Sequence, residues 1–259
     1  MGQLQTARGR IGYIEKGVGS ETPILFLHGV GSDKSVWRPQ LDYFGTTRRA
    51  VAFDYPGYGD SEFVEGATRD DYAAAILAAM DALEIDRAHV CGLSLGGVIA
   101  IAMHSAAPRR CASLIIADSF AVHPEGQEIY DRSVAVSQAM TMRELAEARS
   151  GALLGSEATE AFRSEVVDTM AAIDPAAYRL GAAAVWLADQ RDRAAKIKAP
   201  ALILVGDEDK ITPVSLSEEL RHLIPRSKLQ VIRGSGHLAN AEQAQAFNSA
   251  IESFLSQQR

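Results

Sequence analysis

Residues 90–98, VCGLSLGGV, place one serine, Ser94, directly after an apolar run and between glycines. The apolar run is typical of a buried β-strand, and the following residues 96–106 (GGVIAIAMHSA) are typical of an apolar helix. In a strand–turn–helix unit, the pattern G-x-S-x-G sets the serine hydroxyl on a sharp turn at the strand end, where small glycines let strand and helix approach closely. A serine that only caps the helix is the alternative reading. The stretch therefore predicts an α/β fold with Ser94 as a candidate nucleophile.

The rest of the chain alternates between strand-like and helix-like segments. Six strand-like apolar runs begin at Ile24, Arg49, Ala88, Ser113, Ala201 and Lys228, and the run from Ala88 is the one that precedes Ser94. Several of them are apolar throughout, as expected for parallel strands that are covered by helices on both faces. Residues 3–17 alternate in polarity around a glycine and predict an antiparallel hairpin at the sheet edge. Together these segments predict a mostly parallel, eight-stranded sheet with helices on both faces.

Residues 119–196 interrupt this alternation, because the segment is rich in alanine and contains no strand-like run. Thr141 and Glu144 have the spacing of a capping box, and Asp174-Pro175 is typical of a helix start. We therefore expect a helical cap inserted after the sixth strand. On this prediction, residues 1–118 and 197–259 form the core domain and residues 119–196 form the cap.

Composition excludes several other classes of function. The formal net charge is −7, from 33 acidic and 26 basic residues, so the sequence offers no basic surface for nucleic acid. No stretch approaches the roughly 18 apolar residues of a membrane helix, and the first residues lack the apolar core of a secretory signal. Cys91 and Cys111 lie in strand-like runs, and no cysteine or histidine cluster has metal-ligand spacing. We expect a cytoplasmic protein without metal, cofactor, nucleic-acid partner or membrane partner.

A serine hydroxyl becomes a useful nucleophile only when a base takes its proton and a third group orients that base. In folds of this kind the acid and then the histidine follow the serine, each after a late strand. His237 meets this expectation in the glycine-flanked loop before the last helix, whereas the other histidines lie within predicted strands, helices or the cap. Asp209, in the turn after the strand 201–206, is the first candidate for the acid, and Asp118 at the end of an earlier strand is the second.

An oxyanion hole requires two backbone N–H groups that point at the same developing charge. Leu95 supplies the first candidate, since it follows Ser94 directly and begins a helix, whose N-terminus favours negative charge. Val30 supplies the second, because Gly29 and Gly31 allow a turn in the loop 26–33 (FLHGVGSD).

Several of these residues together resemble a known superfamily. They are, in chain order, His28-Gly29, residues 54–61 (DYPGYGDS), the Ser94 turn, Asp209 and Gly236-His237. In this order they resemble the α/β-hydrolase superfamily, which implies the α/β-hydrolase fold with Ser94, Asp209 and His237 as its catalytic residues. The family's acid is the fourth residue of a G-x-x-D turn, which matches residues 206–209 here.

A narrower resemblance is to the 3-oxoadipate enol-lactonases. It rests on residues 91–97 (CGLSLGG), 200–213 (PALILVGDEDKITP) and 234–255 (GSGHLANAEQAQAFNSAIESFL), and on the compact helical cap. The resemblance implies a serine hydrolase that cleaves a small carboxylic ester or lactone through an acyl-enzyme at Ser94, with no cofactor. Two alternatives stay open: a carbon–carbon bond hydrolase of the meta-cleavage type, which shares the serine triad, and a non-catalytic ligand-binding protein with this fold.

The substrate is expected to be a small molecule, and both a monomer and a homodimer remain open. The residues expected to line its pocket are His28, Gly29, Trp37, Tyr130, Met140, Trp186 and Leu238. A lactone that carries a carboxylate would also need a cation nearby, and the cap offers four arginines, at positions 132, 143, 149 and 179.

Overall fold

The computed structural model describes residues 2–258, which contain one sheet of seven strands. The strands are β1 (Gly2–Thr6), β2 (Gly9–Leu27), β3 (Arg48–Phe53), β4 (Ala88–Leu93), β5 (Cys111–Ala117), β6 (Ala201–Gly206) and β7 (Ser227–Ile232). They are ordered β1-β2-β4-β5-β6-β7, with β3 also paired to β2, and only the β1–β2 pairing is antiparallel as a whole. The predicted fold class, a mostly parallel sheet in an α/β protein, is confirmed.

The described chain has seven strands where the sequence predicted eight, because one long strand, β2, forms two of them. The end of β2, Ile24–Leu27, pairs with Ala50–Phe53 of β3 and also with β4, whereas its earlier residues Tyr13–Lys16 pair with β3 again. Gly17 and Gly19 lie between these halves, where a Cβ atom on either residue would collide with the backbone at residues 47–48. Glycine at both positions therefore lets the strand continue where the sequence suggested a break.

Helices cover both faces of the sheet. Those outside the segment 119–196 are α1 (Arg38–Phe44), α2 (Arg69–Ala82), α3 (Leu95–Ala106), α9 (Val214–Leu223), α10 (Ala239–Glu242) and α11 (Ala244–Ser256). One apolar cluster includes side chains of α2 and α3, and a second includes side chains of α1 and α11. The central strands are buried on both sides, which explains their uninterrupted apolar sequence.

The chain between β5 and β6 is helical, apart from an isolated bridge between Val122 and Asp189. Its helices are α4 (Gly126–Ala139), α5 (Met142–Leu153), α6 (Glu160–Ala171), α7 (Pro175–Trp186) and α8 (Arg191–Ala194). Both predicted helix starts are confirmed: Thr141 and Glu144 form a capping box, and the Asp174 carboxylate accepts from two N–H groups of the first turn of α7. We call residues 119–196 the cap, and the division into two domains stays a prediction.

Two further findings apply to residues 2–258. Both cysteines are buried and unpaired, and these residues include no cluster of histidine, cysteine and acidic side chains suited to a metal ion. None of the helices described has the length and apolar character to cross a bilayer.

Candidate active site

Ser94 lies in a sharp turn between β4 and α3. Its backbone has φ 55° and ψ −115°, a conformation that a residue with a side chain adopts only when the surrounding structure enforces it. A Cβ atom on Gly92 would collide with the Gly96 carbonyl, and one on Gly96 would collide with the Leu27 carbonyl. The turn is therefore so tight that the G-x-S-x-G pattern is a steric requirement.

Hydrogen bonds to neighbouring backbone hold this strained turn. The Ser94 N–H donates to the Ala117 carbonyl of β5 at 2.9 Å, and the Ser94 carbonyl accepts from the Gly97 N–H at 2.9 Å. The Ser119 hydroxyl also donates to the Ser94 carbonyl, at 2.8 Å. The serine's main chain is thus fixed from both sides, while its hydroxyl stays available.

Asp209 and His237 meet at the carboxyl edge of the sheet, in the turns after β6 and β7. Asp209 Oδ2 lies 2.8 Å from His237 Nδ1 and accepts from the Thr212 hydroxyl at 2.6 Å. Its Oδ1 accepts from the N–H groups of Ile211 and Thr212 at 2.8 and 2.9 Å. Burial alone would raise the pKa of Asp209, but the charge of His237 and these hydrogen bonds outweigh it and lower the pKa to about 2. Asp209 is thus a carboxylate that orients the His237 ring through Nδ1. The other ring nitrogen of His237, Nε2, takes no part in this contact.

Asp118, the second candidate for the acid, lies in the same region but has a different partner. It is fully buried at the end of β5 with a φ of 46°, and its Oδ1 accepts from the Gly206 N–H at 2.8 Å. Its Oδ2 has no hydrogen-bond partner among the described residues. Burial, helped by the charge of Asp209, raises the pKa of Asp118 well above its usual value. This carboxyl group supports the turn after β6, and the hydrogen-bonded partner of His237 is Asp209.

The loop after β2 passes directly beside Ser94. A Cβ atom on Gly29 would lie 3.4 Å from Ser94 Cβ. Val30 and Leu95, the two predicted oxyanion-hole residues, flank this contact in sequence, and within residues 2–258 neither N–H donates a hydrogen bond. Both N–H groups are therefore available to an external acceptor.

A cavity of about 310 Å³ opens above the sheet edge, and Ser94 and His237 both line it. Three of the predicted pocket residues, Gly29, Trp186 and Leu238, line it as well. The Trp186 ring stacks on Phe120 with ring centroids 5.7 Å apart, which fixes its position in the wall. The serine and histidine singled out from the sequence thus line the same cavity.

The other four predicted pocket residues do not line this cavity. His28 is fully buried beneath the loop, where its Nδ1 lies 2.8 Å from the Gly29 carbonyl. Trp37 belongs to the apolar cluster that also includes side chains of α1 and α11. Tyr130 lies on α4, where it packs against the other apolar cluster, and Met140 is exposed at the end of that helix. Aromatic and thioether side chains fill a core as readily as a pocket, so residue type alone could not separate the two.

Much of the cavity wall comes from residues that the sequence did not single out. From α6 they are Phe162, Glu165, Val166, Thr169 and Met170. Their spacing of three and four places them on one face of the helix. That periodicity is the available signal, although the sequence cannot tell which way the face points.

Arg149 lines the same cavity and is half-buried on α5. Its guanidinium donates to the Tyr178 hydroxyl at 2.9 Å, and it forms no ion pair with any acidic side chain of the described residues. Arg149 also lines a second cavity of about 570 Å³, which shares Trp186 and Ile211 with the first. Arg149 therefore stands where the two cavities meet, in a wall that also contains the acidic side chain of Glu165.

Comparison with known proteins agrees with this geometry. Residues 22–244 match the protein family described by its alpha/beta hydrolase fold. The chain belongs to this alpha/beta hydrolase family. It is 28% identical over 244 residues to 3-oxoadipate enol-lactonase 1 of Acinetobacter baylyi, a match that covers 90% of this chain and 88% of the relative.

Two further relatives extend the comparison. A 2-hydroxy-6-oxononadienedioate/2-hydroxy-6-oxononatrienedioate hydrolase of Burkholderia vietnamiensis is 30% identical over 275 residues, which covers 95% of this chain and 91% of that protein. The crystal structure of the enol-lactonase from Burkholderia xenovorans LB400 superposes with a TM-score of 0.93 at 25% identity, covering 98% of this chain and all of the other. The predicted resemblance to hydrolases, with enol-lactonases among the relatives, is confirmed, and this alpha/beta hydrolase is a hydrolytic enzyme.

Proposed function

We propose that this alpha/beta hydrolase cleaves a small carboxylic ester or lactone through an acyl-enzyme at Ser94. The observation that carries the proposal is the shared cavity. Ser94 and His237 both line it, and Asp209 Oδ2 lies 2.8 Å from Nδ1 of the His237 ring. A nucleophile, a base and an orienting carboxylate in this relation are the requirements of acyl transfer.

The proposed reaction has two halves. His237 Nε2 takes the hydroxyl proton as Ser94 Oγ bonds to the carbonyl carbon, and the C=O oxygen becomes an oxyanion that the N–H groups of Val30 and Leu95 stabilise. The oxyanion collapses, the C–O bond to the alkoxy oxygen breaks, and that oxygen takes the proton from His237. Water then attacks the Ser94 ester with His237 as base, which releases the acid and restores the serine.

Asp209 has an electrostatic task in both halves. Because its pKa is lowered to about 2, the side chain is charged at every pH at which the enzyme would work. The negative charge stabilises the imidazolium that forms each time His237 accepts a proton, and the Nδ1 contact holds the ring in the required orientation.

The cavity limits the substrate. A volume of about 310 Å³ suits a compact ester or lactone. The guanidinium of Arg149 lines this cavity without a direct ion pair to the described residues, so it favours a substrate with an anionic group within its reach, which it would bind through a charge-assisted hydrogen bond.

A second candidate, hydrolysis of a carbon–carbon bond, is favoured by the relative from Burkholderia vietnamiensis, whose identity of 30% is similar to that of the enol-lactonase relative. The same serine, histidine and aspartate would serve either reaction. The two candidates therefore differ in the substrate that the cavity accepts.

The deciding experiment compares turnover of three substrate classes by purified protein: a p-nitrophenyl ester of a short acid, a small enol-lactone, and a vinylogous 1,5-diketone acid. We expect the ester or lactone to be the fastest, and Ser94→Ala to abolish its turnover, apart from a residual rate roughly a thousandfold above water. A fluorophosphonate should label Ser94 alone. Faster cleavage of the diketone would favour the carbon–carbon hydrolase, and no turnover with no labelling would favour a ligand-binding protein.

A further inference from the structure

A short segment of the cap, Leu153–Ser156, lies directly against the loop that carries His237. The His237 N–H donates to the Leu153 carbonyl at 2.8 Å. A Cβ atom on Gly155 would stand 2.9 Å from the Gly236 nitrogen, and one on Gly236 would stand 2.6 Å from the Gly155 nitrogen. The two loops therefore pack backbone against backbone at the candidate base itself.

The carboxylate of Glu242, on α10, joins these two loops. Its Oε2 accepts from the Gly155 N–H at 2.7 Å, and its Oε1 accepts from the N–H groups of Gly236 and Leu238 at 3.0 and 3.3 Å. Gly236 and Leu238 are the residues immediately before and after His237. One side chain thus holds the main chain on both sides of the histidine and ties it to the cap.

A second carboxylate links the same cap segment to the turn of the acid. Glu208 precedes Asp209, and its two oxygens accept from the Ser156 N–H at 2.7 Å and the Ser156 hydroxyl at 2.8 Å. The Glu208 N–H also donates to the Ser235 carbonyl at 3.0 Å, which joins the turn of the acid to the loop of the base. The cap segment is therefore bound to both elements of the Asp209–His237 pair.

We propose that Glu242 is a positioning residue, which acts through the main chain around His237 and through cap segment 153–156 to hold the base in register with Asp209 and Ser94. The inference rests on the proposed function, because only that function makes His237 the base. It goes beyond it by assigning part of the catalytic alignment to a contact with the cap.

The physical reason is that proton transfer tolerates little displacement. A shift of about 1 Å in a reacting group can cost on the order of a hundredfold in rate. Three N–H groups that lose one shared acceptor would free the loop at residues 236–238, and the imidazole would move with its own backbone. A purely structural role for Glu242 predicts a different outcome, namely lower thermal stability with an unchanged rate for each folded molecule.

The test compares Glu242→Ala and Glu242→Gln with a matched control, Glu218→Gln, which makes the same change on the exposed side of α9. For Glu242→Ala we expect kcat for a p-nitrophenyl ester to fall by roughly ten- to a hundredfold while KM changes less than about twofold. Glutamine keeps the size and one acceptor oxygen, so Glu242→Gln should recover part of the loss. The rate of fluorophosphonate labelling should fall in the same order, and the low-field proton resonance of His237 Nδ1–H should shift.

Wild-type kcat and labelling rate in the folded Glu242 variants would overturn the inference, whatever their melting temperatures. If Glu242→Ala does not fold, Glu242→Gln carries the same test. Failure of the proposed function is a separate result, because it would appear in the wild-type protein as an absence of turnover and of label at Ser94.

Discussion

The Asp118 carboxyl group accepts a hydrogen bond of 2.8 Å from the N–H of Gly206, the last residue of β6. Gly206 is three residues before Asp209, so the acidic side chain at the end of one strand supports the turn that begins at the end of the next. Two acidic residues close together thus have different tasks, and their variants should behave differently.

Replacement of Asp209 by asparagine should lower kcat by about ten-thousandfold, because the amide cannot stabilise the His237 imidazolium. The same change at Asp118 should lower kcat by less than about tenfold, since an asparagine oxygen can still accept from the Gly206 N–H. Steady-state ester hydrolysis measures both, with thermal melting to verify the fold. A larger loss in Asp118→Asn would move the role of the acid to the end of β5.

Asp118→Asn should also stabilise the protein at neutral pH. In the unfolded chain Asp118 ionises near its usual pKa of 3.8, whereas burial keeps it protonated to higher pH in the folded protein. The contribution of Asp118 to the wild-type free energy of unfolding therefore falls as pH rises above about 4. Urea denaturation at pH 4 and pH 8 should show the variant gaining stability, relative to wild type, at the higher pH. An identical difference at both pH values would contradict the raised pKa.

Asp209 has the opposite linkage. Its pKa falls from 3.8 in the unfolded chain to about 2 in the folded protein, so its charge contributes stability above about pH 4. That contribution should be lost as the pH falls from 4 to 2. Denaturation curves over this range should show wild type losing more stability than Asp209→Asn. Parallel curves for the two proteins would mean that Asp209 titrates normally.

Gly155→Ala should uncouple the cap from the loop of His237, because the new methyl group would stand 2.9 Å from the backbone nitrogen of Gly236. We expect lower thermal stability and a lower kcat. The matched control is Gly151→Ala on α5, where an added Cβ has no heavy atom within 4 Å and should stabilise the helix by up to about 1 kcal/mol. Equal kcat in the two variants would show that the contact carries no catalytic weight.

Arg149→Gln should lower activity more for an anionic substrate than for a neutral one. For an ester with a remote carboxylate, kcat/KM should fall roughly ten- to a hundredfold further than for a neutral ester of the same length, as expected for a lost hydrogen bond to a charged group. Arg143→Gln is the control, since Arg143 is exposed on the same helix and pairs with Asp168 at 2.9 Å. Equal losses for both esters would remove Arg149 from substrate recognition.

The positions of Ser94, Asp209 and His237 at the carboxyl edge of the sheet could be predicted from the sequence, because short local patterns determine them. The Ser94 turn is dictated by glycines two residues before and after it. Asp209 follows the fully buried apolar strand β6, and His237 follows β7, a partly exposed strand of mixed polar and apolar residues. The carboxyl ends of parallel strands meet at one edge, so strand order alone brings such residues together.

Other features depend on contacts that are distant in the chain. The cavity wall formed by α6 depends on how this helix is rotated about its axis relative to the sheet. The sequence of residues 160–171 does not specify that orientation. The continuity of β2 depends on the approach of residues 47–48 to Gly19, again a tertiary contact. The contact of Glu242 with the cap could not be predicted from the sequence either, since Gly155 lies 87 positions away.

The contact between Leu153–Ser156 and the loop of His237 limits how freely the helices between β5 and β6 can be exchanged. A chimera that imports residues 119–196 from a relative would bring a new substrate wall, but also a new neighbour for the base. Such a hybrid needs a residue as small as glycine where Gly236 approaches, and a carbonyl in reach of the His237 N–H. Substrate selectivity and turnover are therefore expected to change together when the cap changes. The residue at position 155 should decide whether an imported cap supports catalysis.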